Sequence, residues 1–297
     1  MIPAGWVSKL SERSILVRMY RVLHYAYIRL GLRSRSLGKM NSLLLRYLKS
    51  DAVVIDGHKL FLDPDDSMRL STRGYYEPFI TELVKRNVNK GDVVLDIGAH
   101  VGYYTLLLAR LVGEQGKVYA FEPDPKNFAL LKKNVETNGY KNVIAEQRAV
   151  SENAGKAMLH IGGRSAHHSL LRNKYSSDRS VEVASVRLDD CIKGKVNFIK
   201  IDVEGAEYFA FNGMKSIFRR NKGLMMITEM VPLFLDHLHI TPAQFVRLLT
   251  DYGLRLYLID EEKKKLMPFT LSMLRSYDPN RKVNLNLLCT KRPLGVL

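Results

Sequence analysis

Cysteine is scarce in this chain of 297 residues. Cys191 and Cys289 cannot form a disulfide framework, and neither belongs to a C-x-x-C metal pattern. Two isolated thiols fit a reducing compartment, so the expected location is cytoplasmic. No run approaches the roughly eighteen uncharged apolar residues of a membrane span, and no apolar stretch leads into a small-residue cleavage site. Repeats and low-complexity segments are missing too, which leaves a globular chain, 46% hydrophobic and able to bury a core. Acids are in the minority, 30 Asp and Glu against 46 Lys and Arg, for a net charge of +16. A surplus of that size raises nucleic acid or an anionic surface as partners. Its distribution argues otherwise for the body of the chain: residues 1–50 hold ten Lys or Arg against one acid, Glu12, and so carry more than half of the surplus.

The chain therefore reads as a basic helical extension, 1–50, followed by a body, 51–297. If a helix runs through residues 15–33, Arg18, Arg21, Arg29 and Arg33 share one arc, with Leu16, Leu23, Tyr27 and Leu30 opposite. Such a helix either lies on an anionic membrane or partner, as a peripheral contact, or packs on the body with its arginines solvated.

What is present in the body is organised around one stretch. Val93-Val94-Leu95-Asp96-Ile97 is a short apolar run of the kind that forms a parallel strand buried on both faces. It breaks into a turn at Gly98, and from Gly102 a helical pattern takes over. Gly98 and Gly102 allow a sharp turn and a close-pressed ligand, and the following helix offers free N–H groups at its start. A dinucleotide site would want G-x-G-x-x-G; the spacing here is D-x-G-x-x-x-G. A second apolar run, 117–121, ends in Glu122, whose two oxygens match a ribose diol. Strand-turn-helix followed by strand-acid points to a nucleoside ligand without a phosphate to cradle.

Further strands are expected at 142–150, 196–204, 224–230, 254–260 and 282–289, with helices between most of them. Residues 151–187 are irregular, with strand-like pieces at 157–161 and 181–186 around a basic polar loop. The His167-His168 pair in that loop has no zinc spacing and reads as solvated or substrate-facing. Asp56-Gly57 marks a hairpin turn. The pattern predicts an α/β fold, a Rossmann-like seven-stranded and mostly parallel sheet with helices on both faces. Its first and fourth strands lie side by side, with the site over their carboxyl ends.

Four separated motifs occur in an order that resembles the FkbM family of class I S-adenosylmethionine (AdoMet) methyltransferases. They are Tyr76-Glu77-Pro78, Asp96 through Thr105, Phe121-Glu122-Pro123, and Lys200-Ile201-Asp202-Val203-Glu204-Gly205-Ala206-Glu207. His100 stands where Asn is commoner in the family. The resemblance covers about residues 55–290. It implies AdoMet as cofactor and O-methylation of a hydroxyl on a sugar, glycolipid or secondary metabolite, so the acceptor is a small molecule, a glycan or a lipid-linked group. The residues expected around the cofactor are Glu77, Asp96, Gly98, Ala99, His100, Gly102, Thr105, Glu122, Ala149 and Asp202. Asp202 is expected to face the methyl group and acceptor, with Glu204 and Glu207 as competing bases and Lys200 anchoring the acids by strand alternation. In the competing reading, Asp202 and Glu204 only cap the helix that follows. No metal is expected, since the Asp-Asn pair of catechol-type enzymes is missing. An RNA or protein methyltransferase is the alternative, disfavoured because no N/D-P-P-Y/F follows the fourth strand. A non-catalytic AdoMet-binding scaffold is disfavoured by the intact acids at 202, 204, 207 and 229.

Overall fold

The computed structural model describes residues 49–172, 176–274 and 283–292, together with Met19. The basic extension expected over 1–50 lies almost wholly outside the described residues. The chain divides into two compact units, 1–76 and 77–297.

In the first unit, β1 (Ala52–Ile55) and β2 (His58–Phe61) form the antiparallel hairpin expected at Asp56-Gly57. Both turn residues have positive φ, 49° and 80°, the twist a two-residue hairpin requires. The turn that follows is tied by Asp63, which accepts from the backbone N–H groups of Asp65 and Ser67, and it leads to the short helix α1 (Leu70–Arg73).

The second unit opens with α2 (Pro78–Asn87) and then alternates: β3 (Val93–Ile97), α3 (Tyr103–Val112), β4 (Lys117–Phe121), α4 (Pro125–Thr137) and β5 (Val143–Glu146). After β6 (Ala149–Val150), β7 (Gly155–Gly162), β8 (Ser176–Val186) and α5 (Leu188–Cys191), it resumes with β9 (Phe198–Ile201). Then come α6 (Glu207–Asn212), α7 (Lys215–Arg220), β10 (Met225–Met230), α8 (Pro232–His237) and α9 (Pro242–Thr250). The chain closes with β11 (Arg255–Asp260), β12 (Lys265–Pro268) and β13 (Leu285–Thr290).

The main sheet runs β12-β11-β13-β10-β9-β3-β4-β5. Its five strands from β10 to β5 are parallel, and β13 is antiparallel to both neighbours. β3 and β9, the expected first and fourth strands, are adjacent, with Asp96 opposite Lys200. The strand order reverses between β3, which leads outward to β4 and β5, and β9, which leads the other way to β10, and such a switch point opens a crevice at the carboxyl ends. The parallel strands bury both faces: Val94, Leu95, Ile199, Ile201, Met226 and Ile227 are all at most 1% exposed.

Three expectations need correction. Among the described residues the sheet has eight strands rather than seven, because β12 pairs with β11 as an added hairpin. Its Leu266-Met267 core is short, half-buried and preceded by Lys263-Lys264-Lys265, so it carries little strand signal. The strand expected at 142–150 is two strands: β5 belongs to the main sheet and β6 to a second sheet of order β6-β8-β7. The break falls at Glu146-Gln147-Arg148, where Arg148 turns back to Glu146 at 2.6 Å. The helix after the fourth strand is broken at Gly213. A β-carbon there would lie 2.1 Å from the Ser151 carbonyl, so α6 and α7 part to let that backbone through.

Candidate active site

The carboxyl ends of β3 and β9 gather a cluster of charge. Asp96, the fourth residue of β3, is 2% exposed and accepts from the Thr105 hydroxyl on α3. Lys200 on β9 is equally buried. Its Nζ lies 3.3 Å from Asp202 Oδ2 and 5.1 Å from the centre of the Tyr104 ring. The Tyr104 hydroxyl donates to Glu77 Oε2 at 2.8 Å. Burial works against the Lys200 charge, but Asp202, Glu77 and Asp96 outweigh it and hold the ammonium above its ordinary range. Burial pushes Asp96 up to about 6 despite the Thr105 hydrogen bond and Lys200, and it raises Glu77 as well. Three acids around one cation leave a region suited to a positively charged ligand. Asp202 is its open member, with a side chain 30% exposed against 2% for Lys200.

A second cluster sits beyond β4. Glu122 is 5% exposed; its Oε2 accepts from His100 N at 2.8 Å and its Oε1 from Asp124 N at 2.9 Å. Burial pushes it up to about 7. Each carboxylate oxygen has two lone pairs, so one N–H apiece leaves the pair able to receive a diol. Asp124 caps α4 through Lys126 N and Asn127 N, and its other oxygen is 3.4 Å from His168 Nδ1. Burial would raise its carboxyl, but the bonds from His168 and Asn127 hold it below the usual range.

The loop between β7 and β8 lies across these strand ends. Ser165 Oγ is 2.9 Å from His100 Nε2, His168 meets Asp124, and Ser169 Oγ donates to the Glu204 carbonyl at 2.8 Å. Leu171 packs on Val231, Leu233 and Phe234 at the end of β10. The basic loop expected to be solvated or substrate-facing is thus pinned over β3, β4, β9 and β10.

The structure sorts the expected site residues. Glu77, Asp96 and Asp202 meet around Lys200, and Glu122 stands with His100 over β4. Thr105 is fully buried and acts through Asp96. At Gly98 a β-carbon would lie 1.8 Å from the Asp202 carbonyl oxygen, so the glycine lets the β9 turn close on β3. The N–H groups of Gly98 and Ala99 donate to the Phe121 carbonyl at 2.9 and 3.0 Å. The turn is therefore sewn to β4, and these donors are not held out to an anion. Gly102, at φ 95°, is the N-cap of α3. Ala149 lies on β6, its methyl packed with Leu159 and Val183, so only its backbone is left to meet an adenine edge.

The alternation expected to put Glu204 on the face of Lys200 and Asp202 does not reach it. β9 ends at Ile201, Glu204 turns into left-handed backbone at φ 50°, and strand alternation stops before it. Glu207 is 2% exposed, and its Oε1 accepts from Val203 N and Gly205 N. Burial pushes it up to about 7. It braces the turn between β9 and α6. Sequence reasoning passed over Tyr104, Asp124, Ser165 and Glu261, and it noticed His168 without its partner Asp124. Asp124 alone carried a signal, an Asp-Pro start to α4.

These raised carboxyls make a pH prediction for the free protein. Glu122 and Glu207 ordinarily titrate near 4.5 and do so near 7 when folded. Between those values the folded state holds protons that the unfolded chain has released, so stability falls as pH rises through the window and levels off above it. Thermal denaturation should show a higher midpoint at about pH 5.5 than at about pH 8, each group contributing on the order of 1 kcal/mol. A midpoint that climbs across the window contradicts the burial of these groups.

Among the described residues no helix is long and apolar enough to cross a membrane. The model of the "Methyltransferase FkbM domain" family matches residues 96–256, which begins at Asp96 and takes in Glu122, Asp202 and the second sheet. The hexuronic acid methyltransferase AglP of Haloferax volcanii is 25% identical over 142 residues, 46% of this chain and 56% of that protein. Methyltransferase 1 of Beauveria bassiana is 26% identical over 147 residues, 41% of this chain and 57% of its own length. The chain thus spans little more than half of either relative. The solved FkbM methyltransferase of Methylobacillus flagellatus KT is 18% identical, at a TM-score of 0.39, over 66% of this chain and 43% of that one. With more than half of its length matched by the family model, the chain is a member of the FkbM methyltransferase domain family, and its cofactor is S-adenosylmethionine.

Proposed function

We propose that this protein transfers a methyl group from AdoMet to a hydroxyl oxygen on a sugar, glycolipid or secondary metabolite. The observation that carries the reading is the cluster of Glu77, Asp96 and Asp202 around Lys200, with Asp202 open at the strand ends. The residues fit the cofactor. Glu122 has acceptor capacity for a ribose diol, and the three acids suit the ammonium and sulfonium of the methionyl end. When bound, AdoMet supplies a methyl group activated by the positive sulfur. The protein's part is alignment and proton removal. Asp96, fixed by Thr105, and Glu77, fixed by Tyr104, hold the cationic end, while Lys200 keeps the acids from repelling one another. Asp202 accepts the hydrogen bond of the acceptor hydroxyl and takes its proton as the oxygen is methylated.

A sugar acceptor is supported by the likeness to a hexuronic acid methyltransferase. Hexuronic acids carry both hydroxyl and carboxyl oxygens, so the test must tell an ether from an ester. Transfer of tritiated methyl is measured against sugars, uronic acids, lipid extract and RNA, and each product is then treated with mild alkali. Alkali-stable label on a sugar or lipid supports the reading; labile label, or label on RNA alone, overturns it. For residues 1–50 we propose a peripheral contact with anionic membrane, each basic side chain near such a surface contributing about 1 kcal/mol, screened by salt. Methylation of an acceptor presented on anionic vesicles should then fall with added salt more steeply than that of the same acceptor free in solution.

A further inference from the structure

We propose that Glu261, on the turn after β11, is a positioning residue: it caps α2 and so leaves the Glu77 carboxylate in the acid cluster. The inference rests on the reading of Glu77 as an acid that holds the cationic end of the cofactor. α2 begins at Pro78, which has no N–H, and its first free donors are those of Phe79 and Ile80. The residue preceding a helix ordinarily satisfies such donors with its own side chain, from an extended backbone. Glu77 does neither. It sits at φ 41°, ψ 69°, makes no side-chain cap, and sends its carboxylate to the Tyr104 hydroxyl at 2.8 Å. Its place is taken from 182 residues away: Phe79 N donates to Glu261 Oε1 at 2.7 Å and Ile80 N to Glu261 Oε2 at 3.2 Å.

The turn that presents Glu261 is itself pinned. Asp260 accepts from Lys263 N at 2.8 Å and pairs with Lys263 Nζ at 3.1 Å. β11 runs parallel to β9 and β10 through its pairing with β13, so this turn projects from the same edge of the sheet as the acid cluster. The added β12 hairpin thereby gains a purpose: it brings a carboxylate to the start of α2. Without Glu261, two N–H groups lose their acceptor, and the acid at the N-cap position, Glu77, is drawn to them. Reaching them would also release its left-handed backbone, whereas staying at Tyr104 would leave the donors unmet. Either way the cluster around Lys200 loses the rigid placement of one of its three acids.

The test is a double-mutant cycle on the full chain, read by calorimetric titration with AdoMet. Glu77→Gln should raise Kd about tenfold, and Glu261→Ala by a similar factor. Glu261→Ala made on the Glu77→Gln background should add no more than about twofold, because two residues acting through one interaction are not additive. Glu261→Gln keeps one acceptor and should fall between wild type and Glu261→Ala; it replaces the alanine variant in the cycle if that variant does not fold. A merely structural cap would lower the denaturation midpoint with Kd unchanged, or raise Kd equally in both backgrounds, and either result overturns the proposal. If Glu77→Gln itself leaves Kd unchanged, the cofactor role of Glu77 fails, and that failure is distinct from a Glu77 effect that Glu261 does not share.

Discussion

Asp202→Asn should lower turnover by about 10²–10⁴ while AdoMet affinity changes little. The substitution keeps the shape of the side chain and removes its capacity to take a proton. Lys200 retains Glu77 and Asp96 as neighbours, so its buried charge is not stranded. The rival account, in which Asp202 serves only to cap the following helix, expects about 1 kcal/mol of lost stability and near-normal turnover. In the structure the N-cap position of α6 falls on Ala206 rather than on Asp202 or Glu204. Single-turnover rates measured with saturating cofactor separate the two. Unchanged rates would move the chemistry to another acid of the cluster, Glu77 first.

The second large effect concerns the fold at the same place. Gly98→Ala adds a β-carbon 1.8 Å from the Asp202 carbonyl oxygen, at a residue whose φ is 81°. Neither partner can give way, since Asp202 N is itself bonded to the Ile97 carbonyl at 2.9 Å. The expected cost is about 3 kcal/mol or more, from steric overlap together with backbone strain. Gly139→Ala is the control. Its φ of 73° is as unfavourable, but nothing lies within 4 Å, so it should cost only about 1–2 kcal/mol. Urea denaturation of both variants measures the difference. Equal losses would mean that the contact between the β3 turn and the β9 turn is not what requires a glycine at 98.

These two residues also mark how far the sequence could be read. Asp96, Gly98, Glu122 and Lys200 were legible because strand-turn-helix and strand-acid patterns are local, and local spacing fixes where a strand ends. The neighbouring of β3 and β9 followed from the handedness of crossovers, which depends on connection order rather than on side chains. What stayed hidden depended on contacts far apart in the chain. The close approach of the Asp202 carbonyl, which requires a glycine at 98, has no local signal. His168 and Ser165 stand in a polar loop whose residues carry no periodicity, and their partners Asp124 and His100 lie 44 and 65 residues away. That Glu207 accepts the N–H groups of Val203 and Gly205 shows only once the turn after β9 is folded. Glu261 sits in an acidic and lysine-rich turn that looks like any solvated hairpin end.

The central claim is that Glu122 and the acids around Lys200 form an AdoMet site. Calorimetric titration of the purified chain with AdoMet and with NAD, on wild type and Glu122→Ala, tests it most directly. The expected result is AdoMet binding in the micromolar range, no measurable NAD binding, and a loss of about 1–3 kcal/mol on substitution, from charged hydrogen bonds no longer made to the ribose. Tight binding of NAD, or AdoMet binding that is indifferent to Glu122→Ala, would contradict it.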